Sequence, residues 1–172
     1  LVKITPEILG KDGRRTYLII FQNNMELRPT GGFIGSYGLL TLERGALIDF
    51  DVLDVYAADG QLRGHVEPPP RLAEFLGQTN WYLRDSNWDP DFPTSAARAE
   101  WFLDKELDLS VDGVIAIDLD AVRSVIEKVG PLVIPDFGKT IDSETFYETT
   151  QMEVEKGFFP GSHKKANFLN SM

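Results

Sequence analysis

The sequence contains no cysteine and only two histidines. The absence of cysteine excludes disulfide bonds, thiolate metal sites and a cysteine nucleophile, although it does not fix the compartment. His65 and His163 both lie in polar segments away from any Gly-x-Ser-x-Gly turn, and their spacing is not that of a zinc site. A Walker loop and a dinucleotide-binding glycine motif are also missing. These absences argue against the common hydrolase, zinc and nucleotide-binding sites.

Positive charge and long apolar runs are scarce. The chain has 17 lysines and arginines against 27 acidic residues, for a formal net charge of −10. Nucleic acids and anionic lipid headgroups are bound by clustered basic residues, whereas the basic residues here are scattered apart from the pairs 14–15 and 164–165. No apolar run approaches the roughly 20 residues of a membrane-spanning helix. We therefore expect no nucleic-acid partner, and membrane contact only through an anchor outside this chain.

The composition is that of a globular protein. Hydrophobic residues make up 42% of the chain and charged residues 26%, values that favour a folded core. The length of 172 residues fits one domain, and no repeat, low-complexity tract or linker interrupts it. We expect residues 1–172 to form a single domain that is truncated at its C-terminal end. Because the chain begins at Leu1 without methionine, any signal or anchor segment is expected upstream.

The pattern of apolar residues predicts strands first and helices later. A hairpin turn at 43–45 and a helix that begins after Asp118 and ends before Gly130 are the clearest boundaries. The predicted strands are 15–22, 33–42, 46–56, 111–117 and 132–134. The predicted helices are 71–76, 93–107, 119–129, one from Asp142 or Ser143 to about 156, and one from Lys164. This order predicts an α/β fold with a mixed β-sheet flanked by helices on its faces.

Three segments resemble signatures of a bacterial domain-of-unknown-function family. They are 22–38 (QNNMELRPTGGFIGSYG), 83–94 and 111–118. The layout, most clearly from Ala99 to Ile134, is similar to that of the LytR-CpsA-Psr family. Those proteins are membrane-anchored, extracytoplasmic phosphotransferases that move a glycopolymer from a polyprenyl-pyrophosphate carrier to peptidoglycan with the help of a divalent cation. The resemblance implies a three-layer α/β/α domain at the cell surface that binds, and can transfer, a polyprenyl-phosphate-linked cell-wall glycopolymer with Mg²⁺.

The resemblance also implies roles for individual residues. Arg28, Lys164 and Lys165 would bind phosphate, and Arg28 and Asp54 would be the catalytic residues. Asp54 would bind the metal or act as a base, and Asn87 would orient the ligand. Strand alternation separates Asp54 from Asp49 and Asp51, which are expected on a solvent face.

This chain departs from the LytR-CpsA-Psr pattern at several charged positions. The family has Asp-Ser-Arg after its first strand, where this chain has Asn23, Asn24 and Glu26 followed by Arg28. Its Pro-Arg-Asp is reduced here to Asp54. A lysine does not replace the bidentate fork of a missing arginine. These departures favour an alternative function, a non-catalytic envelope scaffold or adhesion module that retains only the fold.

Two loops contain further candidate residues, each with a structural and a functional interpretation. Arg28 is either an anion clamp beside the backbone N–H groups of Gly31 and Gly32, or the partner of Glu26 in a braced loop. The oxygen-rich segment 85–91 is either an irregular calcium site or a set of Asx turns and helix caps. The aromatic residues of the surrounding 80–93 loop either stack on sugars or hold a lipid tail, or they fold the loop onto the sheet; they are Trp81, Tyr82, Trp88 and Phe92. The candidate ligand-loop residues are Asn24, Glu26, Trp81, Arg84, Asp85 and Trp88.

Overall fold

The computed structural model describes residues 4–135 and 138–149. The strands are β1 (Arg15–Asn23), β2 (Phe33–Glu43), β3 (Ala46–Asp54), β4 (Gly113–Asp118), β5 (Leu132–Ile134) and β6 (Lys139–Ile141). The helices are α1 (Thr5–Ile8), α2 (Val55–Asp59), α3 (Pro70–Leu76), α4 (Phe92–Leu107) and α5 (Leu119–Val129), together with the 3₁₀ helix η1 (Leu83–Trp88). No helix within these residues is long and apolar enough to cross a membrane.

Four strands form one mixed sheet in the order β3-β2-β1-β4. The first three strands are consecutive antiparallel neighbours, and the turn between β2 and β3 uses positive φ at Arg44 and Gly45. Strand β4 lies parallel to β1, with Ile19 opposite Ile115. A parallel neighbour requires a long crossover connection, which here contains β2, β3 and the helices up to α4.

The principal hydrophobic core lies on one face of this sheet. Leu18 and Ile20 of β1 pack there with Phe102 and Leu103 of α4. These α4 residues belong to the apolar stripe that the helical spacing predicts, and Ala99 on the same stripe is also buried. Elements α2, η1 and α4 therefore form the layer on this face.

Helix α5 lies on the other face. Its N-terminus is capped by Asp118, whose carboxylate accepts a 2.7 Å hydrogen bond from the Ala121 N–H. Ile126 of α5 packs in a second buried cluster with Ile134 of β5, Ile141 of β6 and Phe146. The protein thus has helices on both faces of a mixed sheet, which confirms the predicted α/β class.

Several predicted boundaries are wrong for identifiable reasons. Strand β3 ends at Asp54 instead of Tyr56, because the Asp54 carboxylate accepts from the Tyr56 N–H at 2.8 Å and caps α2 in a stretch predicted to be a loop. Strand β6 was not predicted, since only one of its three residues, Ile141, is apolar, whereas all three residues of β5 are. Asp142 accepts from the Thr145 N–H, as a cap should. The predicted end of that helix near 156 and the helix from Lys164 lie outside the described residues.

Candidate functional site

The loops at one edge of the sheet converge. Strands β1 and β4 are parallel, so their carboxyl ends, at Asn23 and Asp118, meet at the same edge. Because β2 is antiparallel to β1, its beginning at Phe33 also lies there, together with the end of β3. Ligands of open α/β sheets commonly bind outside the carboxyl ends of parallel strands.

A groove of about 1090 Å³ extends from this edge along the face that carries α5. Its apolar walls come from alternate residues of the sheet on one side and from α5 and the following segment on the other. The apolar lining residues include Ile19, Phe21, Leu40, Leu47, Phe50, Val52, Ile117, Leu119, Val122 and Phe146. Polar residues line the groove at this edge of the sheet, and we call this part the rim: Asn24, Glu26, Arg28, Arg84, Asp85, Asp118 and Asp120.

Arg28 is held at the rim by a buried ion pair. Its Nε lies 3.0 Å from the Asp85 carboxylate, and the two side chains are only 10% and 2% exposed. Its Nη1 donates to the Leu27 carbonyl at 3.0 Å, and its guanidinium lies 5.3 Å from the centre of the Phe33 ring. Glu26 accepts from the Asn23 amide instead. The interpretation of Glu26 as the partner of Arg28 is therefore wrong, because a buried carboxylate 57 residues away takes that place.

A second arginine, Arg84, reaches the groove from η1. Its Nη1 donates to the Asp59 carboxylate at 2.7 Å and its Nη2 to the Gln78 amide oxygen at 3.0 Å. The guanidinium stacks 4.3 Å from the centre of the Tyr82 ring. Burial raises the pKa of Asp59 to about 6, although the charge of Arg84 acts in the opposite direction. The pair fixes η1 against α2.

A buried carboxyl group lies behind these arginines. Glu106 of α4 is 5% exposed, and its Oε1 accepts from the Leu83 N–H at 3.1 Å. Burial and the nearby charge of Asp59 raise the pKa of Glu106 to about 8, so it is mostly protonated at neutral pH. Burial raises the pKa of Tyr37 to about 12. The sequence analysis missed this group, although Glu106 follows Phe102 and Leu103 at the i+4 and i+3 spacing of a shared face.

Asp54 and Asn87 occupy structural positions near the rim. Asp54 is buried and caps α2. Asn87 is fully buried, and its amide donates to the Gly32 carbonyl at 2.7 Å, which joins η1 to the start of β2. The groove lining, as far as the described residues define it, includes neither side chain. Lys164 and Lys165 lie outside the described residues.

Metal-ligating side chains do not cluster in the described part of the chain. Residues 4–135 and 138–149 bring no three histidine or acidic side chains together as a metal site. Asp89 accepts from the Asp91 N–H, and Asp91 accepts from the Thr94 N–H at the start of α4. The interpretation of this segment as Asx turns and caps agrees with these bonds.

The aromatic residues of the 81–92 segment do not line the groove, as far as the described residues define it. The indole of Trp81 donates to the Asp85 carbonyl at 2.8 Å and packs edge-on against Phe102, with ring centres 5.4 Å apart. Trp88 is half-buried in η1. Trp81 therefore fastens the segment that carries Arg84 and Asp85 to the principal core.

Asp120 connects the two sides of the rim. It accepts hydrogen bonds from the Asn24 amide at 2.7 Å and from the Tyr147 hydroxyl. The hydrogen bond from Tyr147, followed by that from Asn24, lowers the pKa of Asp120. Because Asn24 follows β1 and Asp120 belongs to α5, the network holds the loop after β1 against α5. The sequence feature that could have indicated this network is Asp120 itself, an acidic residue in the first turn of α5, two residues after the capping Asp118.

Together, the fold and the groove define an α/β domain that has an apolar groove with a charged rim. Residues 12–154 match the model of DUF4012, a family described as proteins of unknown function. This match covers most of the chain, and the protein belongs to the DUF4012 family. No curated protein and no solved structure matches the chain. The expected membership of a family of unknown function is confirmed, whereas these comparisons give no link to the LytR-CpsA-Psr proteins.

Proposed function

We propose that the groove binds the lipid of a polyprenyl-phosphate-linked cell-surface glycan, with the phosphate at Arg28. The observation that carries this proposal is the position of a largely buried arginine at the polar rim of an apolar groove. An amphiphile with an anionic head and a long apolar tail matches the groove, because its charged and apolar parts are arranged as the rim and the apolar walls are. Such a ligand implies an extracytoplasmic protein at the cell surface.

The apolar walls supply the affinity in this proposal. The volume of about 1090 Å³ is at the upper end of the roughly 300 to 1,000 Å³ usual for ligand pockets. Burial of one methylene contributes about 0.8 kcal/mol, so about ten of them contribute up to about 8 kcal/mol before the cost of ordering the tail. Phe50 is 42% exposed and Leu47 is 61% exposed, and a bound tail would cover both.

Arg28 supplies the selectivity for phosphate. Its Nε and Nη1 are engaged by Asp85 and the Leu27 carbonyl, which fix the orientation of the guanidinium. Among the described residues Nη2 has no hydrogen-bond partner, so it is available for a phosphate oxygen. Lys164 and Lys165 belong to the same proposal. A Mg²⁺ ion at Asp54 does not fit the described residues, because Asp54 is buried, caps α2 and is not part of the groove lining.

Transfer of the glycan is the enzymatic form of this proposal. In a glycan linked through pyrophosphate, an acceptor hydroxyl would attack the phosphorus attached to the sugar and lose its proton. The bond from this phosphorus to the bridging oxygen would break, and polyprenyl phosphate would leave. A specific observation favours the alternative, a scaffold or adhesion module that binds without transfer. Arg28 and Arg84 are already paired with the buried Asp85 and Asp59, so the described rim has no surplus of positive charge.

The proposal is tested by titrating the full chain with a short polyprenyl phosphate and with the corresponding polyprenyl alcohol, with and without Mg²⁺. We expect the phosphate to bind about tenfold or more tightly than the alcohol, as for a charge-assisted hydrogen bond. Arg28→Gln should remove this preference while the alcohol still binds. Arg63→Gln, which changes an exposed arginine, is the matched control.

The outcomes separate the two functions. Failure of both ligands to bind would overturn the proposal. Binding without release of polyprenyl phosphate, when a pyrophosphate-linked glycan and a wall acceptor are supplied with Mg²⁺, supports the scaffold. Release that depends on Arg28 supports the transferase.

A further inference from the structure

Strand β4 has the sequence of an interior strand but lies at an edge of the sheet. In the order β3-β2-β1-β4, β1 is the one described strand that is bonded to it. The strand reads Gly-Val-Ile-Ala-Ile-Asp, without charge before its last residue, and Ile115 at its centre is 38% exposed. Parallel strands of such composition are usually covered on both sides. The unpaired backbone groups along this edge are therefore a template for another strand.

The opposite edge of the sheet is protected against such pairing. Strand β3 exposes Asp49 and Asp51, and charged side chains on an edge strand block the approach of a second strand. The pairing of β3 with β2 also contains an irregularity between Thr41 and Leu42, whereas the register of β4 on β1 is continuous. A partner strand thus fits β4 better than β3.

Helix α5 extends the uncharged surface beside β4. Ala121, Val125 and Val129 follow one another at four-residue spacing, so they form one stripe. Ala121 is exposed, and Val125 and Val129 are 59% and 68% exposed. Val129 follows Asp120 by about two and a half turns, which places it on the opposite side of the helix. Because Asp120 is bonded to Asn24 after β1, the stripe lies on the flank toward the uncovered edge of β4.

We infer that this edge joins two copies of the chain around a two-fold axis. Strand β4 of one copy pairs antiparallel with β4 of the second copy, and the stripes on the two α5 helices pack against each other. The two four-stranded sheets then form one continuous sheet, with both grooves on the same face. This contact lies outside the groove and does not depend on its ligand.

The spacing of strands and helices fits such a pair. Neighbouring strands lie about 4.8 Å apart, and α5 lies over both β4 and β1, about half of this spacing inside β4. When the two β4 strands pair, the axes of the two α5 helices therefore come to about 10 Å. This is the distance at which helices pack directly against each other.

One axis can serve both contacts. The centre of the strand pair lies between Ile115 and Ala116, about 8 Å before Asp118 at about 3.3 Å per residue. Helix α5 runs back over the sheet from Asp118, and Val125 at the centre of the stripe is about 10 Å from it at about 1.5 Å per residue. The two centres consequently lie at nearly the same position along the strands.

Size and charge at the contact are also complementary. An axis at Val125 places the small Ala121 of one copy opposite Val129 of the other, so the two stripes can interlock. Each copy has a formal net charge of −10, which repels a second copy at long range. The stripe and the edge of β4 before Asp118 carry no charge, so salt should strengthen the association by screening the repulsion.

The test is sedimentation velocity of the full chain from about 1 µM to about 200 µM, at about 50 mM and about 500 mM salt. We expect a dimer that dissociates in the micromolar range, as for a small interface, and that tightens several-fold in the higher salt. Val125→Lys and Val125→Glu should each weaken it at least about tenfold, because like charges meet at the axis. An equimolar mixture of the two variants should restore the dimer.

Val133→Lys is the matched control, since Val133 is a 68% exposed valine outside this surface. It should leave the dimer unchanged, and thermal melts verify that all variants fold. A chain that stays monomeric at every concentration overturns the inference, as when a later segment of the same chain covers β4. A dimer that Ile48→Lys on β3 abolishes, while Val125→Lys does not, overturns it too. Failure of the mixture to restore the dimer would show that the α5 helices do not face each other.

Discussion

Glu106 shows how a single side chain near the rim carries a proton that the unfolded chain would lose. It is buried behind η1, next to Asp59, and its pKa rises from 4.5 to about 8 for these two reasons, burial being the larger. Neutral Glu106 can accept from the Leu83 N–H without placing a second negative charge beside Asp59. The position of η1, with Arg84 and Asp85, thus depends on protonation of a residue in another helix.

The pH dependence of stability follows from this raised pKa. Between pH 4.5 and 8 unfolded Glu106 is ionised while folded Glu106 keeps its proton, so the free energy of unfolding falls as pH rises. We predict that Glu106→Gln flattens this slope from pH 6.5 to 8.5, above the range in which Asp59 titrates. At pH 8 the variant should be more stable by about 1 to 2 kcal/mol in urea denaturation.

Glu100→Gln is the control for this prediction, since Glu100 lies on the same helix and is only half-buried. It should leave the slope unchanged. Equal slopes for wild-type protein and Glu106→Gln would show that Glu106 is ionised in the folded state.

The connection between β1 and β2 depends at the element scale on a glycine that no other residue can replace. Gly32 has a φ of 130°, and a Cβ there would lie 2.1 Å from the Asn23 carbonyl oxygen. The close approach lets the Gly32 carbonyl accept from Asn87, which joins the strand entrance to η1. The loop that holds Arg28 is thereby fixed at both ends.

We predict that Gly32→Ala destabilises the protein by more than about 3 kcal/mol, because backbone strain of about 1 to 3 kcal/mol is added to a steric clash. Gly64→Ala is the control, since Gly64 has a φ of 97° and open space around the position of a Cβ. Gly64→Ala should lower the free energy of unfolding only by the cost of the backbone strain. Chemical denaturation of both variants measures the difference, and similar losses would contradict the clash.

The elements were predictable where a local signal marks both ends. Helix α5 has the predicted bounds because Asp118 caps it and Gly130 with Pro131 stops it. The end of β3 was not predictable, since the alternating pattern continues through Val55 while the Asp54 carboxylate turns the backbone into α2. An aspartate that caps a helix looks the same in the sequence as a polar residue in the alternating pattern of a strand.

The site was predictable only as a set of loops. Asn24, Glu26, Arg28, Arg84 and Asp85 were chosen because they lie in polar loops, and all five line the groove. Their partners were not predictable, because the Arg28–Asp85 and Arg84–Asp59 pairs join residues that are distant in the chain. The groove itself arises from the packing of α5 and the following segment over the sheet, which one sequence does not reveal.

At the scale of the whole molecule, the protein has two hydrophobic clusters of different size, one on each face of the sheet, and the groove lies on the face of the smaller cluster. The principal cluster joins the sheet to α2, η1 and α4, whereas the second joins α5 to the β5–β6 hairpin and Phe146. A two-stranded hairpin is marginally stable by itself, so β5 and β6 depend on α5. A ligand in the groove would contact the sheet at Ile19 and the second cluster at Val122 and Phe146.

We predict that hydrogen exchange distinguishes these clusters. Amides of β1 near Ile19 should exchange last, since β1 has a bonded strand on each side, and amides of β5 and β6 should exchange much earlier through local opening. A bound polyprenyl phosphate should slow exchange in β5 and β6 more than in β1. Equal protection of β1 and the β5–β6 hairpin would show that the domain opens as one unit.

The parallel pairing of β1 with β4 has a consequence for synthesis of the protein on the ribosome. Thr16 and Asp112, which are bonded where these strands begin, lie 96 residues apart. The β1–β3 meander therefore leaves the ribosome with one hydrogen-bonding edge of β1, along Leu18–Ile20, uncovered until β4 (Gly113–Asp118) has been made. An uncovered strand border of this kind is a template for aggregation, and distant pairing slows folding. The nascent chain is thus expected to need shielding by a chaperone during this interval.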